Sequence, residues 1–505
     1  MQVMLRFNLI EEPWIPVREG KEIREVGLAE ALLQAHAFDR LEDPSPLVEV
    51  ALLRVLLAVL HRALDGPKSE DELFTLFEAG RFPKDHITAY LEEHRERFWL
   101  IHPEAPFWQI ADLPSDDPLP WTRLRPELAS GNNPTLFSHT YDDAPPPIPL
   151  AEAARALTAH QTFTPGGLIR RLGVGSGVAA PLATAAAFIA EGKNLFETLI
   201  FALGIYRPDG DRPFWEEAPL KAGDVTAAED GKPKARRRLV GRTRVYSWVS
   251  RGVRLLLEED GTVRFIAYGP GVHPEGPDVP QDDPFLALVK DPRQGRLSAV
   301  RLREDRAFWR DFTALFPEGD RGTTPGTLKT AYKIAQDLPP EEDQIPLAVA
   351  GQVADRAKVL EVRRERYPLP RRVDLGALQN YIENALEAAE ETASCLRKAT
   401  WVLAARLLSQ TRDPDPADVR NLQASFPALR HYYHRLGAAF PGFLLGLGSG
   451  PATAFETWKE DTRKTALAAW NLTRQTLGTE PRVLKAVQEG ERTLAACLRK
   501  EKKHE

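Results

Sequence analysis

Cysteine, methionine and long apolar runs are scarce in this sequence. Its 505 residues include only two cysteines, Cys395 and Cys497, which excludes a disulfide framework and suggests a reducing, cytoplasmic location. No run reaches the roughly 18 apolar residues of a membrane span, and Met1–Val17 lacks the apolar core of a signal peptide. The formal net charge of −6 excludes the overall positive field of a small free-standing DNA-binding protein.

The remaining composition is that of a globular protein rich in proline. Hydrophobic residues make up 43% of the chain, and 505 residues are too many for one core, so we expect two or three domains. The 42 prolines, abundant arginine and glutamate, and only two methionines resemble the usage of thermophilic organisms. That usage bears on stability and leaves function open.

Residues 1–370 combine short strands with helices, which predicts a large mixed α+β domain with short antiparallel sheets. The segment Leu47–Leu64 is apolar on nearly every face and predicts a buried helix, in which His61 packs or caps rather than binds a ligand. Alternation over Arg236–Gly269 predicts successive strands around a turn at Asp260–Gly261. The other predicted elements are the strands Phe7–Ile10, Trp14–Val17, Phe285–Lys290, Leu297–Leu302 and Gln344–Ala350, and the helices Leu28–Ala37, Glu70–Ala79, His86–Arg97, Leu150–His160, Ala179–Phe188 and Asp305–Phe316.

Residues 374–505 have a different pattern, which predicts a four-helix bundle beyond a domain boundary at Pro368 and Pro370. The first helix, Asp374–Gln410, begins with an aspartate at the N-cap and carries arginines late, as the helix dipole favours. Cys395 lies inside this helix and is interpreted as a core residue. The other predicted helices are Pro416–Gly437, Ala454–Leu477 and Pro481–Lys500, with a break at Gly446–Pro451.

Motifs that carry catalysis or hold a cofactor are missing. The histidine pair His431 and His434 lacks an HExxH pattern, so an interaction surface is the better interpretation than a metal site. There is no GxSxG nucleophile elbow and no GxxxxGK[ST] phosphate loop. We therefore expect a binding protein without catalytic residues, cofactor or metal. A metal-dependent nuclease, another nucleic-acid-processing enzyme and a helical scaffold protein are the alternatives.

The most informative segment is Gln161–Pro181, QTFTPGGLIRRLGVGSGVAAP. Gly166 and Gly167 allow a backbone to approach another polymer closely, and Arg170 and Arg171 supply forked donors suited to phosphate. The pattern indicates a loop that contacts nucleic acid, with a plain glycine-rich turn as the alternative.

Two further segments stand out. Ala129–Pro149 has no periodicity, which is typical of either a functional loop or a solvated linker. Lys232–Arg244 holds seven basic residues and is followed by Tyr246 and Trp248, which indicates either a nucleic-acid face or the charged solvent face of a sheet.

In order and spacing, these segments resemble the CasA-type large subunit of the type I-E CRISPR Cascade surveillance complex. The resemblance rests on FNLIEEPWIPV, the apolar helix after Pro46, SGNNPTLF, the glycine loop, AGQVADRAKVLEVRRE and the terminal helices. It implies a non-enzymatic subunit that recognises the protospacer-adjacent motif (PAM) in double-stranded DNA and helps to open the duplex for crRNA pairing. The implied partners are crRNA, target DNA, the backbone subunits, the small-subunit dimer and a helicase-nuclease, with no membrane.

The resemblance also implies site residues. PAM contacts fall on Gly166 and Gly167, on Lys290 as the minor-groove lysine, and on a wedge at Asp355, Arg356 and Ala357. The family carries a glutamine in the wedge, whereas this sequence has Arg356 there and Gln352 four residues earlier, so two registers are open. The candidate phosphate contacts are Arg170, Arg171 and Lys358. The family's loop toward the crRNA end matches Ala129–Asp143, with Asn132, Asn133 and Phe137 as its contacts.

Overall fold

The computed structural model describes residues 5–128, 142–276, 280–291, 293, 295–317, 319–337, 344–409 and 414–501. It is a mixture of helices and short sheets, which confirms the predicted α+β class. The chain forms two compact units. The first holds most of the chain up to Arg366, and the second holds Trp309–Phe316 and the described residues from Tyr367 onward. No described helix is both long and apolar enough to cross a lipid bilayer.

The first unit contains eight of the described α-helices. They are α1 (Leu28–Leu33), α2 (Pro46–Leu64), α3 (Glu70–Glu78), α4 (Lys84–Glu93), α5 (Leu150–Phe163), α6 (Leu195–Leu203), α7 (Arg242–Tyr246) and α8 (Gly326–Asp337). As predicted, α2 is buried on all faces, and His61 is a packed residue whose Nδ1 lies 3.2 Å from the Gly66 carbonyl oxygen.

The strands of the described chain are short, apart from the last two. They are β1 (Arg6–Asn8), β2 (Ile15–Glu19), β3 (Glu22–Val26), β4 (Arg40–Leu41), β5 (Trp99–Ile101), β6 (Leu119–Pro120), β7 (Gly167–Arg171), β8 (Val174–Gly177), β9 (Ala187–Ala190), β10 (Arg236–Arg238), β11 (Arg251–Leu257), β12 (Val263–Pro270), β13 (His273–Glu275), β14 (Leu288–Lys290), β15 (Leu297–Ala299), β16 (Gly322–Thr323), β17 (Gln344–Asp355) and β18 (Lys358–Pro370).

These strands form separate two- and three-stranded sheets. The three-stranded sheets have the orders β3-β2-β4, β11-β12-β6, β15-β14-β16 and β18-β17-β9. The predicted turn between β11 and β12 is present, with Gly261 at φ +84°. The predicted strands Phe285–Lys290 and Leu297–Leu302 contain β14 and β15, which pair antiparallel. The pairs β1-β5 and β7-β8 are antiparallel, whereas β10 pairs with β13 in parallel.

The predicted helix Ala179–Phe188 is wrong. This alanine-rich segment forms turns and then strand β9, whose Ala187–Ala190 are buried and pair with Leu347–Ala350 of β17. Alanine favours a helix locally, but here burial between neighbouring chain segments decides the structure. Asp305–Phe316 is likewise not an α-helix, since Phe308–Leu315 is a 3-10 helix.

The basic segment Lys232–Arg244 does not form the face of an antiparallel sheet. It contributes β10 and the start of α7, and its arginines form several ion pairs, such as that of Arg236 with Asp230 at 2.6 Å.

The second unit is helical and contains α9 (Leu375–Leu408), α10 (Pro416–Ser425), α11 (Ala428–Ser449), α12 (Pro451–Gln475) and α13 (Pro481–Glu501). The Asp374 carboxylate accepts hydrogen bonds from the backbone N–H groups of Gly376 and Ala377, as the predicted N-cap requires. The single helix predicted at Pro416–Gly437 is instead two helices, because the chain turns at Phe426 and Pro427. The core includes Trp309, whose ring lies 5.6 Å from that of Phe440 and 6.0 Å from that of Trp458.

The two cysteines form a disulfide bond, which is not expected from a sequence that excludes a disulfide framework and in which Cys395 is interpreted simply as a core residue. Cys395 of α9 and Cys497 of α13 form a disulfide across 102 residues of sequence. Cys395 is buried, as predicted, but it is a crosslink as well as a core residue.

Candidate nucleic-acid interface

The glycine loop forms a β-hairpin at the end of α5. Strands β7 and β8 pair Gly167 with Gly177 and Leu168 with Ser176, and they turn at Leu172 and Gly173, which have φ of +51° and +77°. Gly166 packs so closely that an added Cβ would lie 3.1 Å from the Ala179 backbone nitrogen. A side chain at Gly166 would therefore push the two arms of this hairpin apart.

Arg251 fixes the base of this hairpin, and the sequence interpretation missed it. Its guanidinium donates to the Val178 carbonyl oxygen at 2.7 Å and to the Pro165 carbonyl oxygen at 2.8 Å, which lie on opposite arms. Arg251 is buried, with 3% of its surface exposed. The alternation of apolar and polar residues predicts the strand but does not single out this arginine. An arginine in a buried position of a strand was the available signal.

A second hairpin, between β17 and β18, carries the predicted wedge. Arg356 and Ala357 form its two-residue turn, and Asp355, Arg356, Ala357 and Lys358 are all exposed. Gln352 is buried and donates from Nε2 to the Phe163 and Ala183 carbonyl oxygens, both at 2.7 Å. Gln352 therefore holds β17 against the end of α5 and cannot be the tip, so the register that puts Arg356 at the tip fits the geometry.

The two hairpins touch. A Cβ placed on Gly167 would lie 3.0 Å from the Cβ of Ala357, so the absence of a side chain at 167 allows the contact. Residues of both hairpins line one cavity of about 500 Å³, among them Gly166, Gly167, Ala357 and Lys358. Segments about 190 residues apart thus form one continuous surface.

The surface is cationic. Arg170, Arg356 and Lys358 are exposed and have no ion pair within the described parts of the chain, which leaves them available for an anionic ligand. Arg171 is engaged instead, because its guanidinium binds Asp117 through Nη2 at 2.5 Å and through Nη1 to the Asp117 carbonyl at 2.7 Å.

A buried histidine also lines the cavity. His160 lines it with its Nε2 3.1 Å from the Tyr268 hydroxyl. Burial lowers the pKa of His160 well below its ordinary value, and the neighbouring Arg251 and Arg123 lower the pKa further. The imidazole is therefore neutral at physiological pH, and the positive charge of the site comes from arginine and lysine.

Lys290 lies on another sheet, at the end of β14. Its ammonium pairs with Asp320 at 2.9 Å, and it does not line the cavity of the two hairpins. The strand directions relate it to the wedge, however. Ala187 of β9 pairs antiparallel with Leu286 and also with Ala350 of β17. The chain that continues from Leu286 to Lys290 and the chain that continues from Ala350 to Arg356 therefore leave β9 at the same end.

One apolar residue of this surface was not predicted. Leu168, next to Gly167, is 65% exposed, a larger fraction than that of any other large apolar side chain in the described chain, and it lines the cavity. The predicted crRNA contacts Asn132, Asn133 and Phe137 lie outside the described residues. Within the described ranges, no group of three or more His, Cys, Asp or Glu side chains could hold a metal ion.

Comparison with known structures first identifies the class, which is that of the CRISPR-associated proteins. The crystal structure of a CRISPR associated protein from Thermus thermophilus matches with a TM-score of 0.87 and 44% identity, covering 98% of this chain and 99% of that one. A structure of a CRISPR RNA-guided surveillance complex shares the fold, with a TM-score of 0.72 at 23% identity over 97% of this chain and 99% of that one.

The family follows from the sequence comparisons. The family model of CRISPR-associated protein Cse1 matches residues 8–469. The CRISPR-associated protein CasA/Cse1 of Thermus thermophilus is 47% identical over 500 residues, which are 98% of this chain and 97% of that protein. The chain belongs to the Cse1 family.

Proposed function

We propose that this protein is the non-catalytic large subunit of an RNA-guided CRISPR surveillance complex and recognises the PAM in double-stranded DNA. In this role it helps to open the duplex so that crRNA pairs with the target strand and an R-loop forms. The observation that carries the proposal is the contact of Gly167 with Ala357, which joins a glycine hairpin to a cation-tipped hairpin over one cavity.

The geometry of the two hairpins suits recognition of the DNA minor groove. That groove presents few distinguishing donors and acceptors, so backbone contacts from Gly166 and Gly167 would accept several related motifs. In this proposal Lys290 reaches the groove from the neighbouring sheet after exchanging its Asp320 partner for DNA. Arg170 and Lys358 would bind phosphates of the same duplex, and Arg171 would do so only by releasing Asp117.

Opening the first base pair costs on the order of 1–2 kcal/mol per stacking step. Arg356 at the tip of its hairpin can stack on an exposed base and bind phosphate at the same time. Leu168 supplies an apolar side chain next to it, and apolar side chains of this kind enter base steps in other duplex-bending proteins. Together they would offset the cost until the RNA–DNA hybrid forms.

The partners proposed for this chain follow from the family and from the neighbouring structure of an RNA-guided surveillance complex. They are crRNA, target DNA, the backbone subunits, the small-subunit dimer and a helicase-nuclease that cuts the DNA. The helical second unit is proposed to contact the small subunits and the displaced strand, and Asn132, Asn133 and Phe137 to contact the crRNA end.

A competition gel shift with the assembled complex tests the proposal. Duplexes that carry the PAM should compete at least about tenfold better than duplexes that lack it, which corresponds to roughly 1.4 kcal/mol. Lys290→Ala should weaken binding to the PAM duplex. Lys84→Ala, which removes an exposed lysine at the start of α4 that has no ion pair within the described chain, should not.

Two results would contradict the proposal. Equal competition by both duplexes would favour a scaffold without DNA recognition. Cleavage of DNA by the purified chain with Mg²⁺ or Mn²⁺, abolished by one point substitution, would show an enzyme.

A further inference from the structure

A second cavity in the first unit is lined by arginines. It has a volume of about 50 Å³, and the charged residues around it are Arg97, Arg212, Arg237, Arg244 and Glu217. Arg237 and Arg244 belong to the basic segment that the proposed function leaves unused. None of these residues belongs to the two hairpins of the candidate interface.

The charges around this cavity are unbalanced, because four guanidiniums face one carboxylate. Glu217 is shared between Arg244, whose Nη2 lies 3.0 Å from Oε1, and Arg237, whose Nε lies 3.8 Å from Oε2. Within the described residues, Arg97 donates only to the carbonyl oxygens of Glu217 and Phe214, and burial lowers its pKa. Arg212 is exposed and forms no ion pair within the part of the chain that the structure describes.

Two donors of this cluster also lack a partner. The Nε atoms of Arg97 and Arg244 are buried and find no hydrogen-bond acceptor within the described protein. A buried donor without an acceptor is costly, and the cost is larger for a charged group. The apolar side chains of Trp248, Val249 and Val272 line the same cavity and strengthen any electrostatic interaction inside it by excluding water.

We propose that this cavity is a binding site for a phosphate group. A phosphate presents several acceptor oxygens and up to two negative charges, which suits an excess of three positive charges better than a single carboxylate does. The cavity volume corresponds to roughly three or four water molecules, enough for the oxygens of one tetrahedral anion and too small for a nucleotide base. The phosphate is either free or the terminal phosphate of a nucleic-acid strand.

Equilibrium dialysis of the full chain against inorganic phosphate, at constant ionic strength in chloride, tests the site. We expect saturable binding of one phosphate per chain. Arg212→Gln should weaken the affinity about tenfold, since it removes a charged donor that forms no ion pair in the described chain. The matched control is Arg238→Gln, an exposed arginine on the same strand as Arg237 that does not line the cavity.

A second variant tests the site without removing any hydrogen-bond donor. Ala218 is exposed at the rim, so Ala218→Glu supplies a carboxylate to the cluster without removing an arginine. This variant should lose phosphate binding and should unfold at a higher temperature than the wild type in phosphate-free buffer.

Two competition experiments with oligonucleotides identify the source of the phosphate. A short single strand with a 5′-phosphate that displaces inorganic phosphate, while the same strand without it does not, identifies a strand end. Failure of both strands to displace it identifies free phosphate. The site is overturned if dialysis shows no saturable binding, or if Arg212→Gln and Ala218→Glu bind phosphate as the wild type does.

Discussion

Arg356 has a backbone conformation that residues other than glycine rarely adopt. Its φ is +54°, at the tip of a hairpin where the side chain is exposed and contacts no ion-pair partner in the described chain. A left-handed conformation costs a residue with a Cβ roughly 1–2 kcal/mol. No hydrogen bond or ion pair of its side chain within the described protein offsets this cost, and the guanidinium is left exposed to solvent.

Replacing Arg356 with glycine should therefore separate stability from function. Arg356→Gly relieves the strained φ, and the extra entropy of glycine in the unfolded chain offsets about 0.5–1 kcal/mol of that gain, so the free energy of unfolding should not fall. Opening of a PAM duplex by the assembled complex, measured with 2-aminopurine at the first base pair, should fall roughly 5- to 30-fold if stacking by Arg356 contributes about 1–2 kcal/mol.

The control for this prediction is Arg356→Lys, which keeps both the charge and the Cβ. It should retain phosphate binding but lose the planar group that stacks on a base, so it should open the duplex to an intermediate extent. Full opening by Arg356→Gly would show that the tip residue has no part in the process.

Residue identities at this tip were only partly predictable. The sequence leaves Gln352 and Arg356 as alternatives, because a resemblance by motif does not fix a register to within four residues. The structure separates them through contacts that no local pattern encodes, namely the hydrogen bonds of Gln352 to carbonyl oxygens of Phe163 and Ala183.

At the level of elements, the important feature is that two hairpins meet at Gly167 and Ala357. We predict that Gly167→Ala weakens PAM-dependent binding at least about tenfold, because the new methyl would lie 3.0 Å from the Ala357 Cβ and shift the two hairpins relative to each other. Gly167→Asp should weaken binding further by placing a negative charge near phosphates. Target affinity of the assembled complex, measured by gel shift, tests both.

The same hairpin offers a matched control. A Cβ on Gly175 meets nothing within 4 Å, so Gly175→Ala should bind as the wild type does. The double variant Gly167→Ala with Ala357→Gly removes the opposing methyl and should recover most of the affinity. Absence of recovery would mean that the contact between the hairpins does not position the site.

Elements whose pattern is strong were predicted well, and elements fixed by distant contacts were not. Apolar residues on every face identified α2, and an aspartate N-cap identified α9. Ala179–Phe188 was predicted as a helix because alanine dominates it, yet its end is a strand paired with β17. Arg251 was missed because its role depends on two carbonyl groups that lie more than 70 residues away in sequence.

At the scale of the whole molecule, the chain contains two compact units. A change of pattern near residue 370 suggested a division there, and the structure divides the chain at Arg366 and Tyr367. The segment Trp309–Phe316 also belongs to the second unit, although it precedes that division by some 50 residues. Sequence order cannot show such an excursion, because it depends on Trp309 packing among Phe440 and Trp458.

The second unit also contains the disulfide between Cys395 and Cys497. We expect this disulfide to stabilise the second unit and not the first. Closing a loop of 102 residues restricts the unfolded chain, and a crosslink of this kind typically contributes about 2–4 kcal/mol. Reduction with dithiothreitol should therefore speed amide exchange in α13, measured by hydrogen exchange and mass spectrometry. Amides of α2, in the core of the first unit, should be unaffected.

The variant Cys497→Ser distinguishes loss of the crosslink from a general effect of the reductant. It should exchange in α13 as fast as the reduced wild type does, and dithiothreitol should change it no further. Other contacts still hold α13, including the close packing of Gly490 against Trp470, so the helix should remain folded without the disulfide. Equal exchange in α13 with and without reductant would show that the crosslink contributes nothing. Faster exchange in α2 as well would show that the two units do not unfold separately, since independent cores predict a loss of protection confined to one of them.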